Sequence, residues 1–230
     1  MKLYLALRAE IDTDNIIGMG TNCLNESRSC SSTPCLAWDR LLEERGIIWA
    51  CEGDTLSLAT MCLVRKSFLQ PLLMTNIYPF LMGLAATKHE KIPGFPEFLP
   101  NPDDHILLAH CGYFGLVPRS FSEQWVLREK ALAIVDPNAH VFDARLKTGP
   151  LTLVKLDASL SKLMVVKAEL KGYIQYDSSS DCRNGGIVQV EDGKRFLSRV
   201  YSHHIIVCQG DISSELDALG MVMGLEVEHF

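Results

Sequence analysis

The chain has 230 residues, 47% of them hydrophobic and 22% charged, the composition of a globular protein with room for one large domain or two smaller ones. Its net charge of −6 and lack of a basic block argue against a nucleic-acid partner, because gripping a phosphate backbone takes clustered Lys and Arg. No apolar run approaches the roughly 18 residues of a membrane span, and "MKLYLALRAE" is broken by Arg8 and Glu10 too early for a secretory signal, so a cytoplasmic protein with no membrane partner is expected. Taken from the start, "MKLYLALRAEI" spaces Leu3, Leu5, Ala6, Leu7 and Ile11 as a short helix. "IIGMGTNCL" (16–24) reads as a buried strand. "TPCLAWDRLLEERG" places Thr33 at the N-cap, Pro34 at the first helical position and Gly46 as the stop, a well-marked helix. "IIWAC" is the next strand and "TLSLATMCLVRKSFL" the next helix, with Leu56, Ala59, Met61, Cys62 and Phe68 expected to face inward. Strand, helix, strand, helix is the alternation of a parallel α/β layer, here with only two clear repeats.

Beyond Pro71 the pattern changes. "KIPGFPEF" (91–98) and "LPNPDDH" (99–105) are Pro-rich connections, and "SEQWVLREKALAIV" reads as a helix passing into a strand. "LTLVKLD", "KLMVVKAELKGYIQYD" and "GGIVQVEDGKRFLSRVYSHHIIVCQG" are β-rich, with "EDGK" expected as a hairpin turn. Such runs suggest an antiparallel sheet or small barrel. "DISSELDALGMVMG" closes as a helix and "LEVEHF" as a strand. The predicted fold class is therefore α/β: a partial parallel, Rossmann-like layer followed by a mostly antiparallel, barrel-like β-rich part. The eight cysteines show no C-x-x-C pair and no zinc-knuckle spacing. Cys23, Cys35, Cys51, Cys62 and Cys208 sit in or beside apolar runs, where a reduced thiol packs as a small hydrophobe.

Several residues stand where chemistry could occur. Glu52 directly follows "IIWAC", and the carboxyl ends of parallel strands are where ligands bind in open α/β layers. Gly53 permits a tight turn there. The alternatives are that Asp54 caps the helix starting at Thr55 and that Glu52 is a solvated loop charge. His203 and His204 lie in "YSHHIIVCQGD". Adjacent strand residues face opposite sides, so only one of the two is expected to face a given site. Imidazole with a Glu oxygen suits manganese, iron or zinc, although a strand histidine also serves as a packing residue. "LLAHCGY" presents His110 and Tyr113 after another apolar run. In "SDCRNGG", Asp181 and Arg183 either hold their own turn or hydrogen-bond a polyol. Asn76, closing the apolar part of "MTNIYPF", either offers its amide oxygen to a metal or satisfies backbone groups before Pro79.

The set "CEGD", a polar strand-end residue 24 positions after Glu52, "AHCGY", "TGPLTLVKL", "DCRNG" and "SHHIIVCQGD" resembles the L-fucose/L-arabinose isomerase family. The likeness runs along essentially the whole chain, with its motifs in order. It implies that residues 1–75 are a remnant of an α/β middle domain and 76–230 the C-terminal β-rich domain, with the N-terminal domain absent. It also implies an aldose–ketose isomerase that works through an ene-diol with a divalent cation, usually Mn2+, on a monosaccharide such as an L-fucose- or arabinose-like sugar. On that likeness Glu52 is the first carboxylate ligand and base, His204 the ligand histidine, and Asn76 falls where the second carboxylate is expected. His110 resembles the further histidine near the metal, and Tyr113, Asp181 and Arg183 join it in binding substrate. Family members are homo-oligomers whose site is completed by a neighbour's N-terminal region. Asn76 cannot carry a proton, so the same likeness also admits a non-catalytic sugar-binding or assembly module.

Overall fold

The computed structural model describes residues 1–11, 15–23, 34–78, 101–110, 117, 119–129, 140–175 and 184–230. Its first part is the expected α/β layer, reduced to two strands. Helix α1 (Lys2–Glu10) precedes β1 (Gly18–Gly20), and α2 (Cys35–Arg45) leads through β2 (Ile48–Ala50) to α3 (Thr55–Phe68). β1 and β2 pair in parallel, Gly18 opposite Ile48 and Gly20 opposite Ala50. β1 is shorter and less buried than the strand expected over 16–24. A Cβ at Gly18 would meet Leu58 Cδ1 at 2.8 Å and Cys62 Sγ at 3.0 Å, so the glycine lets α3 lie close against the strand. α2 stops where its sequence says it should. Gly46 is left-handed (φ 66°) and its N–H caps the carbonyl of Leu42, the usual way to close a helix. At the other end Pro34, rather than Thr33, holds the N-cap position; Thr33 lies outside the described residues.

α3 packs the residues expected to face inward against the core, Met61 among its buried positions, but its most deeply buried stripe also takes in residues not expected there. Ser57, Thr60, Met61 and Val64 are its buried residues, whereas Leu56, Ala59, Cys62 and Phe68 are only partly buried. The reason lies in what the helix packs against. Thr60 Oγ1 donates to Leu56 O (2.8 Å) and accepts the backbone N–H of Leu156 (3.2 Å), so a polar side chain satisfies a strand amide that a leucine would have stranded.

The second part contains a closed barrel. In chain order its elements are β3 (Leu72–Tyr78), β4 (His105–Ala109), β5 (Ser122–Glu129), β6 (His140–Leu146), β7 (Gly149–Leu156), β8 (Lys162–Gln175), β9 (Asn184–Val190), α4 (Gly193–Arg199), β10 (His204–Gln209), α5 (Ser213–Met223) and β11 (Glu226–His229). Six strands run antiparallel in the order β8-β7-β10-β3-β4-β9, and β9 returns to β8. β11 pairs in parallel with the start of β8, while β5 and β6 form a separate ribbon. β3 runs unbroken across position 75/76.

Alternation along the wall strands gives two cores rather than one wet face. Leu73, Ile77, Leu151, Leu153, Ile205 and Val207 join one apolar cluster. Leu72, Met74, Val154, Leu156, Ile206 and Cys208 join another, shared with α2, α3 and β2. A 14-residue helix cannot fit inside six strands, so the first cluster is the interior and the second the outer layer.

Two expectations are corrected here. Ser122–Glu129 is a strand, not the start of a helix, because it pairs with β6 over its length and Trp125 stacks on Phe142 at 3.5 Å. "EDGK" is not a hairpin turn. Asp192 caps α4, accepting Arg195 N–H at 2.9 Å, and the helix buries Phe196. A single Asp-Gly satisfies the start of a helix as readily as a turn.

Candidate metal centre

The turn between β2 and α3 is wound left-handed twice, at Glu52 (φ 58°) and Gly53 (φ 68°). Glycine takes that conformation freely, whereas a glutamate bears a cost of about 1 kcal/mol. The turn is pinned by Gly53 N–H on Thr21 O (2.8 Å) and Asp54 N–H on Cys51 O (3.0 Å). Asp54 then caps α3, its Oδ1 accepting Ser57 N–H at 2.8 Å, as the sequence suggested. The same carboxylate has a second function, because its Oδ2 lies 2.9 Å from His204 Nδ1.

His204 opens β10 directly opposite Asn76 of β3, and its other nitrogen, Nε2, faces Glu52 Oε2 at 3.6 Å. That is an ion-pair distance and too long for a hydrogen bond. The ring is 3% exposed, and Nε2 has no hydrogen-bond partner among the described residues. Buried polar nitrogens are rarely left so. Asn76 Nδ2 donates to the Tyr78 hydroxyl at 3.0 Å, and its Oδ1 is buried with no partner among the described residues. His110 follows β4 and lies parallel to His204, ring centres 5.7 Å apart. The His203 ring is tilted against that of His204, ring centres 4.1 Å apart. Glu52, His203 and His204 each offer a ligand atom within 4.8 Å of the others.

Charge in this cluster is mutually arranged. The His204 ring, with help from His110 and His203, draws the Glu52 carboxyl below its ordinary range against the opposing effect of burial. Burial likewise works to raise Asp54, but His204, the Ser57 N–H and hydroxyl, and the Lys155 ammonium outweigh it and hold the group far below the usual carboxylate range. Burial would lower His204, yet its two carboxylates raise it. Burial and the neighbouring His204 lower both His110 and His203. Close by, the Cys23 thiol is drawn down to about 7 by the side chain of Cys51, against burial and with help from the Glu52 backbone; no disulfide links the described cysteines.

Of the residues singled out in the sequence, Glu52, His204 and His110 come together, with Asn76 facing His204 across the strand pair. Tyr113, Asp181 and Arg183 lie outside the described residues. The alternation argument that admitted only one histidine does not hold, because β10 begins at His204 and His203 precedes it. Lys155 and Ser57 escaped sequence reading altogether. The Lys155 ammonium, 1% exposed, bonds Asp54 Oδ2 at 3.2 Å and the Ser57 hydroxyl. The only sequence signal was a lysine in the middle of "LTLVKL".

Two imidazoles and one carboxylate are a donor set for a borderline divalent ion such as manganese, iron, cobalt or zinc. Among the described residues no helix is long and apolar enough to cross a membrane. Compared with protein families and with curated proteins, the chain has no significant match.

Proposed function

We propose that the chain is a divalent-cation-dependent aldose–ketose isomerase related to the L-fucose/L-arabinose isomerase family, with Mn2+ as its ion and an L-fucose- or arabinose-like sugar as its substrate. One observation carries the reading. Glu52 and His204, 152 positions apart in the chain, meet with a buried imidazole nitrogen turned toward a carboxylate oxygen, and Asn76 stands opposite in register. The resemblance assigned these three to one cation before any geometry entered.

A bound divalent cation would supply Lewis-acid polarisation of the oxygens on the two sugar carbons between which the proton moves. The residues supply the rest. Glu52, held ionised beside His204, takes the proton from one sugar carbon and returns it to the neighbouring carbon. His110, buried and biased toward its neutral form, hydrogen-bonds a sugar hydroxyl from the edge of the site. Asn76 contributes a neutral oxygen and takes no part in proton transfer. Tyr113, Asp181 and Arg183 complete substrate contacts, and a homo-oligomeric neighbour or a separate N-terminal domain closes the sugar-binding wall.

The test is ketose formation from L-fucose and L-arabinose with Mn2+, with and without a supplied N-terminal domain. Turnover and Mn2+ uptake are both expected to fall at least tenfold in Glu52→Gln; unchanged values in both would reject the assignment. A second reading, a non-catalytic sugar-binding module, is favoured by the neutral Asn76. Asn76→Asp separates them: a gain in Mn2+ affinity and turnover supports an isomerase site, and sugar binding without any gain supports the module.

A further inference from the structure

Asp54 is the one carboxylate in the cluster that is gripped from every side. Its Oδ1 takes the Ser57 N–H at 2.8 Å, and its Oδ2 takes the Ser57 hydroxyl at 2.7 Å, the Lys155 ammonium at 3.2 Å and His204 Nδ1 at 2.9 Å. Lys155 is fully buried, and a buried ammonium is tolerated only where acceptors meet it. Here those acceptors are Asp54 and Ser57. An ionised carboxylate has no proton to offer, so between Asp54 and His204 the ring nitrogen must be the donor. A neutral imidazole has one N–H, and once it stands on Nδ1 the lone pair is left on Nε2, the buried nitrogen that faces Glu52.

We propose that Asp54 is the positioning residue of the metal centre: it fixes His204 with its proton on Nδ1 so that Nε2 presents a lone pair to a cation shared with Glu52, and Lys155 and Ser57 hold that carboxylate in place. The proposal rests on reading Glu52 and His204 as cation ligands, and it adds a selectivity. An imidazole locked in this way favours ions that accept nitrogen, Mn2+, Co2+ and Zn2+, over oxygen-seeking Mg2+ and Ca2+. Carboxylate–histidine–metal arrangements of this kind raise ligand basicity and set ring orientation.

Asp54→Asn separates positioning from folding, because an asparagine caps a helix about as well as an aspartate. Its Oδ1 can keep the Ser57 N–H, but its amide N–H₂ then points at His204 Nδ1 and forces the ring proton onto Nε2. The probe is Co2+ alone, followed by its visible absorption on the full chain. The variant should lose about 10- to 100-fold in Co2+ affinity. Because it leaves the buried Lys155 ammonium without its carboxylate, the same loss is to be read in Asp54→Asn/Lys155→Met against Lys155→Met alone, a pair whose melting temperatures should lie within a few degrees of each other. In the metal-free parent, the His204 ring-nitrogen NMR shifts above the imidazole titration should report Nδ1–H, and this measurement needs no variant. Equal Co2+ affinity in Asp54→Asn, or a parent ring protonated on Nε2, overturns the positioning role while leaving the ligand assignment standing. A parent chain that takes up no Co2+ overturns the ligand assignment and the positioning role together.

Discussion

The interior of the barrel and the seam between its wall and α3 are built from the same strands by opposite means. Inside, Leu73, Leu151, Leu153, Ile205 and Val207 form a dry apolar cluster that depends on shape and asks for no partners. At the seam, Asp54, Ser57, Thr60, Lys155 and His204 are buried or half-buried polar groups whose tolerance depends on each finding its counterpart. The difference is instructive because almost every seam atom is matched. Asp54 has four donors, and Lys155 has two acceptors. Among the described residues the exceptions are His204 Nε2 and, opposite it, Asn76 Oδ1, and an otherwise satisfied network makes them informative.

That contrast can be broken from either side. Leu153→Ala, in the interior, should cost about 2–5 kcal/mol of stability, read by guanidinium unfolding, because a cavity in a closed barrel collapses poorly. Lys155→Met, two residues along the same strand, should cost less, about 1–3 kcal/mol. It removes one donor from Asp54 but leaves Ser57 and His204 in place, and it ends the desolvation of an ammonium. A cost for Lys155→Met as large as that for Leu153→Ala would mean that the seam holds the fold as firmly as the core does. Glu52→Gly should act in the opposite direction, raising stability by up to about 1 kcal/mol by relieving the left-handed backbone while abolishing metal uptake. Stability and Mn2+ binding measured on one preparation would show both. The smallest effect belongs to Asp157 in the turn from β7 to β8. Its carboxylate accepts the backbone N–H groups of Ser159 (3.1 Å), Ser161 (2.8 Å) and Lys162 (2.7 Å). Burial works to raise it, but the Ser159 hydroxyl and these amides together lower it to about 2. Its folded-state value lies below the unfolded one, so its contribution is present above about pH 4 and disappears as the pH falls through about 2. An Asp157→Asn chain should therefore show a flatter acid limb in a pH series of unfolding curves.

What the sequence disclosed was local, and what it hid was long-range. Gly46 was legible as a helix stop, and it is a left-handed cap. Asp54 was legible as a cap because an acidic residue before "TLSL" needs nothing beyond its own helix. The pairing of Asn184–Val190 with Ala168–Gln175 that closes the barrel depends on partners whose own sequence resembles any half-buried strand. Likewise "EDGK" fits a turn or a helix start, and only the burial of Phe196 decides. At the site, spacing left Glu52 and His204 with a bland alternative each, and it was the resemblance that paired them as ligands. Lys155 was hidden because its role is to neutralise a carboxylate 101 positions earlier, and a strand lysine gives no local sign of that. His203 was passed over because the resemblance pointed to His204, and the strand rule that admitted only one of them does not reach a residue one position outside β10.

One edge of the barrel has a further meaning. β8 presents a single side to two partners in succession. β11 lies along Lys162–Val165 in parallel, and β9 lies from Ala168 onward in the opposite sense. The closing strand pair thus covers only the later half of that long ribbon, and the last few residues of the chain hem the rest. Trimming 226–230 would bare a row of unpaired amides and carbonyls beside Leu163 and Val165, an open template for a second molecule to pair with. A fusion at this end should leave the hem in place and extend beyond Phe230.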